Sequence, residues 1–469
     1  MTTSHEQALQ AAQLAREAAI PRAQADPARP HCHFTAPAGW MNDPNGTIFH
    51  DDTYHLFYQH HPYSDDWGPM CWGHARSHDL LNWEHLPIAL APKGDGVENG
   101  VWSGCVAINK LGQPIAYYTC ANYPGSKPEE ADFTQNAALG SDDLLVWKKF
   151  EGNPLMTRAV HGPNFRADWR DPFIFHENGR TFMVIGMTGK GTPIYEATDE
   201  AFLEWQYRGI LCDIDAECPN FFKVNGKWLY LSSPFDNVTY AIGEFDIEQY
   251  RFTIQQNGRY DWSEFGHSDY YATNHLYDKD GRSILFGWIR GWEPGHGWNG
   301  CMGIPRQVII DPDGTLRTPP IEEFSSQRRN ELSIPSKTVG IHPYQPEFPH
   351  ENQYEIRCKF VLGKVNSMGI GLRCPGMGQP KSAVWLEKDG IHLDGIHIPL
   401  TEKEMQQPVD VHLFVDHSVA ELFINNGKYC AVRVFKDFNP EDRSIRLFVD
   451  GGEARFEDFH LWTVVAITP

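Results

Sequence analysis

Five times along this chain an apolar run, a polar turn and a second apolar run follow one another: GTIFHDDTYHLFYQ (46–59), GCVAINKLGQPIAYYT (104–119), PFIFHENGRTFMVIG (172–186), NFFKVNGKWLYLSS (220–233) and NHLYDKDGRSILFGW (274–288). β-Branched and aromatic residues on either side of Asn, Asp and Gly turns dictate β-hairpins. Asp52, Gly112, Gly179, Gly226 and Gly281 mark the turns, which lie 47 to 67 residues apart. A loose period of that size suits a four-stranded propeller blade with generous loops, so five copies predict five blades around one axis. The competing reading is an irregular β-sandwich whose hairpins share no axis. What precedes each hairpin favours the propeller. Nine residues before the five turns stand Asp43, Ser103, Arg170 (beside Asp171), Glu217 and Ala272. In a propeller, equivalent positions of successive blades meet at one mouth of the central channel, so carboxylates distant in sequence become one pocket.

Composition agrees with an all-β chain. The 469 residues include 41 Gly and 33 Pro, and 13% are aromatic, which means many turns between aromatic-rich runs. The net charge of −21 repels polyanions and sets nucleic acid aside as a partner. No stretch of about 18 uncharged apolar residues occurs, so no membrane span is expected. The N-terminus lacks an apolar signal core, because Glu6, Arg16 and Glu17 interrupt it. It reads instead as a short helix within an extension over residues 1–29. Ser4 with Gln7 forms a capping box, Ala8, Ala11, Ala12 and Ala15 share a face, and Pro21 ends the helix. The 10 cysteines are scattered rather than framed, which predicts reduced thiols and a cytoplasmic protein. Asn45-Gly46-Thr47 and Asn237-Val238-Thr239 match the glycosylation pattern but are read as chance.

The hairpin region is assigned to residues 30–317, and TPPIEEFSSQRRNELS to a linker with a short helix at 318–333. From 334 to 469 the strands alternate with period two, and Asn425-Asn426-Gly427 and Asp450-Gly451-Gly452 supply turns. That pattern predicts a second domain, a β-sandwich of structural or sugar-contacting role.

Taken singly, the polar segments before the hairpins are bland. Trp40-Met41-Asn42-Asp43-Pro44-Asn45-Gly46 is a good turn former, and Asp168-Trp169-Arg170-Asp171-Pro172 could be a surface ion pair. Their shared offset is what points to function. Three carboxylates among aromatic rings suit a sugar, whose hydroxyls need acceptors and whose ring faces need flat apolar walls.

At these residues the chain resembles glycoside hydrolase family 32, the β-fructofuranosidases. The motifs are WMNDPNG (40–46), FYQHHPYSDDWGPMCWGHARSHDLLNWEHLPIAL (57–90), WSG (102–104), WRDP (169–172), ECP (217–219) and DYYA (269–272). LFVDHSVAELFINNG (413–427) resembles the family's sandwich signature. The likeness runs from about His31 to Trp462 and implies a five-bladed propeller plus a sandwich. It also implies a retaining hydrolase that releases terminal β-fructofuranosyl units from small-molecule or oligosaccharide fructosides. Asp43 would be nucleophile, Glu217 general acid/base and Asp171 transition-state stabiliser. Trp40, Asn42, Gln59, Trp67, Trp102, Ser103, Arg170 and Trp298 would contact the substrate. An oxocarbenium-like transition state needs one carboxylate at the sugar carbon and a protonated one at the leaving oxygen. Like-charge repulsion and burial should keep Glu217 protonated. Two departures stand out: Cys105 replaces the family's serine and bears on the pocket's outer wall, and Ile304-Pro305-Arg306 replaces Leu-Pro-Arg. No cofactor is required. No metal is expected either, since nothing completes a tetrahedral set around His31-Cys32-His33 or Cys71 and His74. A fructosyltransferase and a non-catalytic sugar-binding propeller are the alternatives.

Overall fold

The computed structural model describes residues 4–93, 98–123, 132–162, 165, 168–215, 217–264, 268–349, 351–376 and 378–467. Among the described residues seven sheets carry the fold, antiparallel apart from one parallel pairing. Five follow one another over the first two-thirds of the chain, and each begins with one of the expected hairpins. Their first strands are Gly39–His50, Gly100–Ile108, Trp169–Glu177, Glu217–Val224 and Tyr270–Tyr277. Each first strand packs against that of the next sheet, and the fifth packs against the first. A late segment completes the ring: Trp298–Asn299 pairs in parallel with Gly39 and Trp40 of the first sheet. Between neighbouring sheets the cores are aromatic. Phe175, Phe182, Phe221 and Trp228, for example, fill the space between the third and fourth.

The last two sheets share one apolar core, in which Ile356, Phe360, Leu413 and Phe456 of a six-stranded sheet meet Ile370, Leu386 and Leu447 of a five-stranded one. The stretch expected as a linker is more ordered than its polarity suggests. It holds a 3-10 turn at Glu322–Gln327, and the strand Arg328–Val339 begins inside it, paired with Ala454–Val464.

The N-terminal helix spans Ser4–Gln24 and corrects three expectations. Ser4 is already helical rather than capping, and residues 1–3 lie outside the described ones. Ala11 is exposed; the docked face is His5, Ala12, Arg16 and Ala23. Pro21 lies inside the helix. A proline removes one backbone bond, and the last turn is held regardless, because Arg22 Nη2 donates to Gly295 O (2.7 Å) and Ala23 is buried. No helix among the described residues is long and apolar enough to cross a membrane. All ten cysteines are buried and none is in a disulfide, and Asn45 and Asn237 are buried too, so neither presents an amide to a glycan.

The signature at 413–427 forms the joint between the two parts of the chain. Asp416 and Glu421 lie on adjacent strands, Val409–Asp416 and Val419–Ile424, and point into the hairpin region. Asp416 accepts the backbone N–H groups of His31 (2.9 Å), Cys32 (2.6 Å) and His33 (3.1 Å) and the Nδ1–H of His33 (2.8 Å). Glu421 accepts from His33 Nε2 (3.1 Å), Ile304 N (2.6 Å) and Arg306 Nη2 (2.8 Å), and Arg306 also pairs with buried Asp261 (2.9 Å). Burial opposes a charge on His33, but its two carboxylate partners prevail and push its pKa up to about 9. Asp416, although buried, is held well below the usual range by His33 and His417. His33 therefore contributes stability that is full below its ordinary value and is lost as pH rises through about 9. The contribution of Asp416 is lost at the acid end. Asp416→Asn takes away one of the two carboxylates that compensate the buried His33 charge and should cost about 3–5 kcal/mol. Urea unfolding at pH 7 measures it, and a loss below about 1 kcal/mol would remove Asp416 from the joint.

Candidate active site

The five first strands share one irregularity. Each skips register at its inner end: between Met41 and Pro44, Val101 and Gly104, Arg170 and Phe173, Glu217 and Asn220, and Tyr271 and Thr273. A bulge leaves residues unpaired and re-aims their side chains. It frees Asn42-Asp43, Trp102-Ser103, Asp171-Pro172, Cys218-Pro219 and Ala272 from the ladder. Three of these pay in backbone strain, with φ of +63° at Asp171, +48° at Cys218 and +45° at Ala272. Left-handed backbone at non-glycine residues costs of order 1 kcal/mol each and collects at functional sites.

The bulged ends surround a cavity of about 260 Å³. Asp43, Asp171 and Glu217 line it, Trp40, Trp67, Trp102, Trp288 and Met70 give it apolar walls, and Asn42, Gln59, Ser103, Arg170, Tyr271 and Arg290 supply polar groups. Asp43 is fixed from both sides: Ser103 Oγ donates to Oδ2 (2.5 Å) and Asn42 Nδ2 to Oδ1 (3.0 Å). Asn42 is itself held by Trp40 Nε1 (2.8 Å). The Cys218 thiol lies between two carboxylates, 3.4 Å from Asp43 Oδ2 and 3.6 Å from Asp171 Oδ2, while Cys218 N–H donates to the latter (3.0 Å).

Glu217 is gripped differently. Arg170 bonds its Oε1 and pairs on its other side with Asp168 (2.9 Å). Oε2 lies 2.8 Å from the Tyr271 hydroxyl, which is 2.7 Å from Ser233 O and accepts from Phe235 N (2.8 Å). That hydroxyl has one hydrogen for two oxygens. When it donates to Ser233 O, only a protonated Oε2 can bond to it; when it donates to Glu217, Ser233 O gives up its partner. Hydrogen bonding here therefore follows the protonation of Glu217.

The family model described as glycosyl hydrolases family 32 N-terminal domain matches residues 33–320, and the family 32 C-terminal model matches 379–463. The chain belongs to glycoside hydrolase family 32. This family 32 protein is 30% identical to the sucrose-6-phosphate hydrolase of Escherichia coli over 92% of its own length and 94% of the relative's. It also resembles a Bombyx mori β-fructofuranosidase structure (25% identity, TM-score 0.77, 98% and 99% of the two chains covered). With fructan 1-exohydrolase IIa of Cichorium intybus it shares the fold (22% identity, TM-score 0.83, 94% and 98% covered).

Of the site residues expected from sequence, the family 32 chain brings all but Trp298 to the cavity. Trp298 is buried with its Nε1 donating to Asp26 (3.1 Å) and its ring 5.1 Å from Trp292. Parallel pairing of its backbone with Gly39 puts it next to the site, but the side chain is used to seat the N-terminal segment. Cys105 is likewise no part of the wall; it packs in the core between the second and third sheets. At the fifth hairpin the contributor is Tyr271 rather than the buried Ala272 beside it. Arg290, Trp288 and Met70 were not anticipated. Arg290 lies over the Tyr271 ring (4.4 Å), and Trp288 meets Trp40 edge-on (5.7 Å).

Burial and neighbouring charges act together at Asp171. Burial pushes its carboxyl up to about 7; Arg170 opposes the shift, and Glu217 and Asp43 add to it. The folded state then holds the proton more tightly than the unfolded chain, so this group lowers stability as pH rises from about 4 to about 7. Asp171→Asn should therefore raise stability at pH 8 by up to about 4 kcal/mol, with no gain below about pH 4. Thermal unfolding of both proteins across that range tests it. A variant less stable at pH 8 would contradict this account of Asp171.

Proposed function

We propose that this chain is a five-bladed propeller joined to a β-sandwich and acts as a retaining β-fructofuranosidase. The closed ring of first strands supports the blade count, and the division into a helical extension, a hairpin region at 30–317 and a sandwich is kept, with the sandwich's first strand starting at Arg328 inside the stretch read as a linker. The observation that carries the activity is the convergence of Asp43, Asp171 and Glu217, from three different sheets, on one tryptophan-walled cavity. Asp43, aligned by Ser103 and Asn42, attacks C2 of a terminal fructosyl unit, while Glu217 protonates the departing oxygen. Asp171 accepts hydrogen bonds from fructosyl hydroxyls as charge develops on the ring. In the second step Glu217 takes a proton from water, which releases fructose. Trp40, Trp102 and Trp288 exclude solvent around the sugar, and Gln59 is anchored through Nε2 to Val101 O (3.0 Å), which leaves its carbonyl for a hydroxyl.

The substrate class follows the printed activities of the relatives, so sucrose and its 6-phosphate are the first substrates to try. Ten cysteines outside any disulfide support a reducing compartment such as the cytoplasm. Incubation with sucrose tests the activity. Equal free glucose and fructose is the expected result; glucose in excess of fructose indicates transfer to a sugar acceptor, and no product from either sucrose or its 6-phosphate indicates a binding protein.

A further inference from the structure

Beneath the N-terminal helix lies a cluster of buried cationic and polar groups that the active site does not use. Arg16 and Arg29 are only 4% and 5% exposed. Arg16 spends Nη2 on Leu86 O (3.1 Å) and Gln13 Oε1 (3.0 Å), which leaves Nε and Nη1 without a partner. Arg29 spends Nη2 on Thr35 Oγ1 (2.7 Å) and Ala36 O (2.6 Å), which leaves Nη1. Tyr58 OH, which faces the Arg16 guanidinium, and His60 Nε2 and His85 Nδ1 likewise lack a well-formed hydrogen bond, so this one place holds six of the 22 buried side-chain atoms in that condition among the described residues.

The groups belong together. Tyr58 lies 5.7 Å from the His60 ring, and Phe34 touches both Tyr58 (5.4 Å) and His85 (5.2 Å). Both guanidinium charges act on Tyr58 and on His85, and Arg16 acts on His60. Neither arginine has a carboxylate within ion-pair distance among the described residues. Asp26, which acts on Arg29 from farther away, is committed to His296, Trp298 and the N–H of Ala28. A cavity of about 230 Å³ opens alongside, lined by Arg29, Thr35 and His85 among others.

Two buried guanidinium groups with no carboxylate in contact are strongly unfavourable, and every unmet donor adds to that cost. We infer that this cluster is a binding site for a small inorganic anion, with Arg16 Nε and Nη1 and Arg29 Nη1 as charged donors and the Tyr58 hydroxyl as a neutral one. The anion ties the helix, through Arg16, to the segment after it, through Arg29. Two residues farther on, that segment makes the backbone grip on Asp416. Anion binding therefore strengthens the docking of the helix and the joint together. The competing occupant is ordered water.

Thermal unfolding of the full chain at matched ionic strength, in gluconate against chloride, sulfate and phosphate, tests the site and separates halide from oxyanion. The expected result is a saturable rise in Tm of a few degrees in at least one small anion over gluconate. In Arg16→Met that difference should vanish. Crystals soaked in bromide give a second reading that needs no variant: an anomalous peak within hydrogen-bond reach of both guanidinium groups supports the site. Equal Tm in all four salts, an undiminished rise in Arg16→Met, or water alone between the two arginines in the bromide crystals would overturn it.

Discussion

Asp43→Asn is expected to lower kcat on sucrose by about 10⁴–10⁶-fold, the scale seen when a nucleophile that works with partners is removed. The amide has nearly the shape of the carboxylate and still accepts from Ser103, so the cavity and its affinity for sugar should survive. What is lost is the fructosyl-enzyme, since an amide oxygen cannot form it. Steady-state kinetics and titration with fructose, done on the same preparation, separate the two. Near-normal turnover would remove Asp43 from the chemistry, and a parallel loss of sugar binding would mean the cavity had collapsed.

The second large effect depends on the leaving group. Glu217→Gln keeps bonds to Arg170 and Tyr271 within reach but cannot donate a proton, so glucose, a poor leaving group, should depart about 10²–10⁴-fold more slowly. A fructoside with an acidic phenol needs little protonation. Its first step should be largely spared, and azide should rescue the second by replacing activated water. Equal loss on both substrates without azide rescue would mean that another group supplies the proton, with Asp213 and Asp215 next in line.

Much of this architecture is written in the chain because each of the five sheets starts with a tight hairpin, where turn residues and alternating apolar runs speak locally. Even the active-site bulges are legible, as a constant offset before the turn. The outer strands are harder to see. Trp205–Cys212, with the pattern WQYRGILC, is mostly half-exposed and does not alternate. Residues placed by tertiary pairing escaped altogether. Trp298 was assigned to the sugar by resemblance, yet the strand it pairs with turns it toward Asp26. Arg290 and Trp288, on the return side of the fifth hairpin, reach the cavity only because the ring closes there. The helix outlasting Pro21 has the same origin, since contacts with residues some 270 positions away outweigh a local stop signal.

Double displacement at C2 with Asp43 as nucleophile is the step on which every catalytic role above depends. NMR of the fructose released from sucrose, recorded before mutarotation, tests this most directly, because two successive inversions restore the starting configuration whereas direct attack by water inverts it. The predicted first-formed product is the β-furanose anomer. Initial appearance of the α anomer would contradict the covalent mechanism and the role given to Asp43.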